Sequence, residues 1–89
     1  MKIKQGYILR QMAQTWTVLP LAEQAKTLNG ILTLSDSGAI LWQALEQGCA
    51  LSDLVTKLTQ EYDVSEAKAQ EDAVKFIKKL SQFGCLDMD

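Results

Sequence analysis

Any chemistry in this chain would have to come from carboxylates, serines and two cysteines, because it contains no histidine. The acids Asp36, Glu46, Asp53, Glu61, Asp63, Glu66, Glu71 and Asp72 fall at caps or polar positions of helical patterns. There a carboxylate serves the helix dipole or a solvated face. Ser35, Ser37, Ser52 and Ser65 stand at helix starts, where serine is a preferred cap. A nucleophile needs a neighbouring base and a site for developing negative charge, and these spacings supply no such set. Cys49 and Cys85 make neither a CxxC pair nor a disulfide framework. Without imidazole, a zinc site built from this chain alone is not expected. Gly6, Gly30 and Gly38 lack the spacing of a phosphate loop. The residues assign no catalytic group, no metal ligand and no cofactor; they suit a domain that holds a partner rather than one that transforms it.

The elements that would position a binding surface follow from periodicity. Residues 7–13 and 15–21 are rich in Tyr, Ile, Trp, Thr and Val and predict two strands of an antiparallel hairpin. Alternation places Trp16 and Val18 on the core face, and Pro20 belongs near a strand end or on a side without a partner. Residues 22–27 read as a loop, Asn29-Gly30 as a turn, and Ile31–Leu34 as a short third strand that could begin at Leu28. Three helices follow, over 36–47, 51–62 and 66–83. Ser35 and Ser65 cap the first and third, and Gly48 and Gly84 end them. The first helix leaves little polar face and reads as central. Leu51, Leu54, Val55, Leu58 and Tyr62 stripe the second. Ala69, Ala73, Phe76, Ile77, Leu80 and Phe83 face inward from the third, with Cys85-Leu86 folding back onto the core and Asp87-Met88-Asp89 fraying. The expectation is a single α+β domain over 1–89, winged-helix-like, with a three-stranded antiparallel sheet followed by three helices.

Eighty-nine residues support one core. Hydrophobic residues make up 47% and charged ones 22%, an ordinary globular balance rather than disorder. A net charge of −2 and a pI near 5.0 argue against nucleic acid, whose affinity comes chiefly from phosphate neutralisation. No segment approaches the ~20 apolar residues of a membrane span, and the N-terminal lysines precede no signal-peptide run; neither a membrane nor nucleic acid is expected as a partner, and a cytoplasmic location is.

The third strand is the candidate docking edge. Edge strands carry unpaired N–H and C=O groups and are usually blocked by lysine, proline or a covering loop. Ile31–Leu34 contains no such residue, so an extended peptide could add to it. On the third helix Lys68, Lys75 and Lys79 share one stripe beside Phe76 at ~100° per residue. They make a wall with lysine heads over an apolar floor, suited to an amphipathic or acidic peptide. Glu71–Lys75 and Lys68–Asp72 are also spaced as i,i+4 pairs of a solvated face.

The run Leu28-Asn29-Gly30-Ile31-Leu32-Thr33-Leu34-Ser35-Asp36-Ser37-Gly38-Ala39-Ile40-Leu41-Trp42 resembles the central pattern of PqqD-like proteins: an apolar strand leading into a Ser/Thr-Gly-Ala turn, an aliphatic pair and Trp. Leu54-Val55 through Glu61-Tyr62-Asp63-Val64 and the ending Gly84-Cys85-Leu86 extend the resemblance over nearly the whole chain. Members of that family are peptide chaperones, also called RiPP recognition elements. The resemblance implies a non-enzymatic protein that binds the leader of a ribosomally made precursor peptide. The leader would add as a strand to the third strand and lie in the groove against the third helix, and be presented to a modifying enzyme such as a radical SAM protein. Carried onto this chain, the peptide site comprises Leu28, Gly30, Ile31, Leu32, Thr33 and Leu34 on the strand and Asp72, Lys75, Phe76 and Lys79 on the helix. The start is less arginine-rich than in the cofactor-pathway PqqD proteins, which favours another peptide pathway over pyrroloquinoline quinone synthesis. The aromatic pattern frequent before the third strand of lasso-peptide recognition proteins is missing around Ala25-Lys26-Thr27. A monomer or a homodimer paired through the open edge fits this reading. Two other readings stand beside it: a winged-helix DNA-binding or regulatory protein, and a small docking subunit of an enzyme.

Overall fold

The structure is a computed structural model and describes residues 1–21 and 32–87. The predicted hairpin forms from β2 (Tyr7–Met12) and β3 (Thr15–Pro20), in register from Tyr7↔Pro20 to Met12↔Thr15. The two-residue connection needs a left-handed residue, and Ala13 supplies it at φ 59°. The first strand therefore stops at Met12, one residue short of the predicted end. Pro20 is the last residue of β3, where its missing donor costs the sheet least.

Strand β4 (Leu32–Leu34) pairs antiparallel with β3, Trp16 opposite Leu34 and Val18 opposite Leu32, giving the order β2-β3-β4. The predicted loop over 22–27, the Asn29-Gly30 turn and the start of the third strand at Leu28 or Ile31 lie outside the described residues. Leu32 and Leu34 are buried and Thr33 is exposed, the alternation of a strand with one face on a core.

The helices are α1 (Asp36–Gln47), α2 (Leu51–Glu61) and α3 (Glu66–Phe83). Ser35 and Ser65 cap α1 and α3 as predicted, accepting from the N–H groups of Gly38 (3.3 Å) and Lys68 (3.1 Å). For α2 the residue before the helix is Ala50, which has no side-chain acceptor. The Asp53 carboxylate reaches back instead and accepts from the Ala50 N–H at 2.8 Å, half of a capping box. Gly84 ends α3 in the left-handed conformation (φ 88°) and donates to the Leu80 and Ser81 carbonyls, the conformation glycine adopts without penalty.

Sheet and helices share one core in which Val18, Trp42, Leu45, Leu54, Leu80 and Cys85 are fully buried. Val18 takes the core position predicted for it. Trp16 is half-buried and packs against the core edge, its indole Nε1–H donating to Asp36 Oδ1 at 3.0 Å. That bond ties the central strand to the first turn of α1.

Beside the three predicted strands the structure holds a second, two-stranded sheet. Strand β1 (Lys2–Ile3) pairs antiparallel with β5 (Leu86–Asp87), Ile3 opposite Leu86 and Lys2 opposite Asp87. Asp87, expected to fray, is held there. The Lys4 N–H donates to the Cys85 carbonyl, and Met1 and Cys49 exchange two bonds, all at 2.9 Å. Cys85 and Leu86 fold back onto the core as expected, both buried. Burial pushes the Cys85 thiol up to about 11, and its Sγ–H donates to the Leu80 carbonyl at 3.8 Å. A disulfide reagent at pH 8 is expected to titrate half-buried Cys49 in the native protein and Cys85 only on unfolding, because the reactive species is the exposed thiolate. Equal rates at both thiols would show that the closure of β5 over Cys85 is not stable.

Candidate functional site

The site begins at the edge strand. β4 has β3 on one side and no strand partner on the other among the described residues. Its two leucines point into the core, so Leu32 and Leu34 offer a partner their backbone and not their side chains. Thr33 is the exposed residue between them. Of the other strand residues assigned to the site, Leu28, Gly30 and Ile31 lie outside the described residues.

Directly after β4 the chain turns through Ser35 into α1, and a cleft of about 380 Å³ opens between the start of α1, the end of α2 and one face of α3. All four helix residues singled out in the sequence, Asp72, Lys75, Phe76 and Lys79, line it. Phe76 is buried and forms part of the floor. Lys75 and Lys79 are exposed and form a wall. The two predicted i,i+4 pairs are present: Lys68 Nζ to Asp72 Oδ1 at 3.2 Å and Lys75 Nζ to Glu71 Oε1 at 3.1 Å. Both are well exposed, so each contributes only ~0.3–0.5 kcal/mol.

The cleft also takes in Ser35, Ser37 and Leu41 from the start of α1, and other features of it are not predicted by the sequence. Leu58 and Tyr62 were assigned to the core stripe of α2, yet both also line the cleft, with Val64 beyond them. The stripe shows which residues face inward but not where the neighbouring helices diverge and leave them uncovered. Gly38 lines it too. A Cβ at Gly38 would lie 3.2 Å from the Leu34 Cβ and 3.3 Å from the Phe76 Cε1, so the bare backbone is what lets Phe76 approach the β4–α1 junction. Lys79, finally, donates through Nζ to the Thr33 carbonyl oxygen at 3.3 Å, across 46 residues. The edge carries no blocking residue within the strand, but α3 lends it a lysine.

The model of Coenzyme PQQ synthesis protein D (PqqD) matches residues 16–86. The chain belongs to the PqqD family. The match spans β3 from its second residue, β4, the three helices and the cleft, and leaves out β2. The PqqD pattern around Ser37-Gly38-Ala39 and Trp42 has a physical basis here: Gly38 admits Phe76, and Trp42 is wholly buried with its Nε1–H donating to Glu46 Oε2 at 3.2 Å. Among solved structures the fold is similar to TbiB1 in complex with the TbiA(beta) leader peptide, with a TM-score of 0.78, 21% identity, and coverage of 100% of this chain and 98% of that one. It is also similar to lasso peptide synthetase B1 complexed with the leader peptide, at a TM-score of 0.73 and 21% identity over 94% and 93% of the two chains. These similarities concern the fold. No curated protein matches the sequence.

The tight seam at Gly38 gives a direct test of how the PqqD cleft is built. Gly38→Val should cost about 2 kcal/mol in urea unfolding, the usual range for overpacking. It should also shift the Phe76 ring-proton resonances, because the rigid Leu34 Cβ cannot yield and the ring must. An unchanged stability with unchanged Phe76 resonances would mean that the seam is loose.

Proposed function

We propose that this chain is a non-enzymatic peptide chaperone. It binds the leader of a ribosomally synthesised precursor peptide by strand addition to β4 and presents it to a modifying enzyme, for example a radical SAM protein. The observation that carries this reading is the juxtaposition of an edge strand anchored in the core by Leu32 and Leu34 with an adjoining cleft floored by Phe76. Membership of the PqqD family supports it, as do the leader peptides in the complexes of the two similar folds.

The physical economy of such a site is plain. A leader that is disordered when free must be ordered on binding, which costs free energy. Ladder hydrogen bonds to β4 offset part of that cost whatever the peptide sequence. The cleft adds selectivity by burying apolar side chains against Phe76, Tyr62 and the aliphatic stem of Lys75. A cleft of this size takes one or two side chains, not a whole peptide. In this reading residues 1–89 act as one peptide-binding domain, monomeric when the edge is free or occupied by leader, with a homodimer through β4 as its competitor.

The DNA-binding alternative finds little support in α3. Its lysines Lys68 and Lys75 are neutralised by Asp72 and Glu71, which leaves a weak electrostatic footprint for phosphate.

Backbone groups of a strand alternate between its two sides. The Leu21 N–H on the Gly6 carbonyl sets a register in which Thr17 faces β2 and Trp16 and Val18 face β4, so Thr33, opposite Thr17, presents its N–H and C=O to the open side. In titration calorimetry with a synthetic leader from a neighbouring precursor gene, Thr33→Pro should weaken binding by about tenfold or more, since it removes the outward ladder donor and blocks close approach. Lys57→Glu, an exposed change on α2, should stay within about twofold. Equal losses in variants shown to be folded would contradict strand addition.

A further inference from the structure

The three lysines along this face of α3 differ in what they hold. Lys68 and Lys75 each sit on a carboxylate of their own helix. Lys79 sits on a neutral main-chain oxygen, that of Thr33, and none of the described carboxylates is within ion-pair distance of its ammonium. A carboxylate is a stronger partner for an ammonium than a peptide carbonyl is, so Lys79 keeps unspent capacity for an anion. The group it occupies is also special. A main-chain carbonyl on the edge strand is the kind of acceptor an added strand must use.

These two facts are coupled. A peptide strand whose N–H bonds the Thr33 oxygen competes with the Lys79 ammonium for that oxygen. Once displaced, the ammonium remains on a flexible four-carbon stem rooted beside the cleft, within reach of the side chains of the same incoming strand. A neutral peptide leaves it to solvent. A peptide with a carboxylate next to the residue paired to Thr33 gives it a better partner than the one it lost.

We propose that Lys79 is an exchangeable guard of the β4 edge and a specificity determinant of the site. It covers the Thr33 carbonyl in the free protein and passes to an Asp or Glu of the bound peptide, so the site selects extended peptides that are acidic at that position. The inference rests on the peptide-binding reading above and names the chemistry of its ligand. Lys75 cannot serve the same purpose without first giving up Glu71.

The test needs no knowledge of the natural leader. A random 15-residue peptide library displayed on phage is selected against the wild-type protein and against Lys79→Met, which keeps the apolar stem. Wild-type binders are expected to carry Asp or Glu at a fixed distance from their apolar residues, and Lys79→Met binders are not. The best acidic binder and its Gln twin are then synthesised. The Glu→Gln change should cost about three- to fivefold in affinity on the wild type, as for an exposed ion pair, and nothing on Lys79→Met. Lys79→Arg should restore the preference. Lys78→Met, at a residue lining a separate cavity with Val74 and Ile77, should behave as wild type. The same Glu/Gln ratio on wild type and Lys79→Met would overturn the guard while leaving peptide binding intact. A library that yields no binder to either protein would overturn the peptide-binding reading and this inference with it.

Discussion

The structure depends on the anchoring of a three-residue strand. Leu32 and Leu34 are pinned in the core, and the chain runs from Leu34 through a single capping residue, Ser35, into α1. β4 therefore cannot drift relative to the helices, although among the described residues it has three residues and one strand partner. Two further contacts fix the junction: Trp16 Nε1–H on Asp36, and the close seam between Gly38, Leu34 and Phe76. The hairpin, the first helix and the third helix meet at this point. The edge and the cleft are consequences of that meeting, since β4 ends where the floor of the cleft begins.

From this constraint the binding logic follows. An edge held rigidly offers its backbone in a ready conformation, so a partner strand orders only itself. In the proposed reading, burial of both leucines leaves Thr33 as the exposed side chain among the described strand residues, so selectivity falls mainly to the helices. Loose apolar edges invite self-association; here the Lys79 ammonium rests on the strand instead. The device differs from a lysine placed within a strand, because a side chain reaching from another element can leave when a better partner arrives.

Much of this was legible in the sequence. Periodicity and caps gave α1 and α3 their bounds to the residue, because Ser35, Ser65 and Gly84 act locally through side-chain acceptors and a left-handed φ. The alternation in Thr15–Val18 located Val18 in the core, though not the burial of Thr17, which is covered more fully than Trp16, and the i,i+4 spacing of α3 gave its two ion pairs. Interactions that depend on distant partners were not legible. β1 and β5 have two residues each, too few for any period, and exist because the chain ends meet. Asp53 caps α2 from inside the helix, behind an alanine that no capping pattern includes. The Lys79–Thr33 contact joins a helix stripe to a strand whose separation only the packing decides. Leu58 and Tyr62 were correctly placed on an apolar stripe, but whether a stripe end is covered or left as cleft is a property of the helix arrangement.

The most direct measurement is amide hydrogen exchange, followed by NMR, on the protein with and without saturating leader peptide. An added strand must bond the open side of β4, so the outward Thr33 amide should slow by at least about tenfold, with resonance changes at Phe76 and Lys79 and none on the exposed face of α2. Binding that leaves the exchange of all three β4 amides unchanged would contradict strand addition and place the peptide elsewhere on the protein.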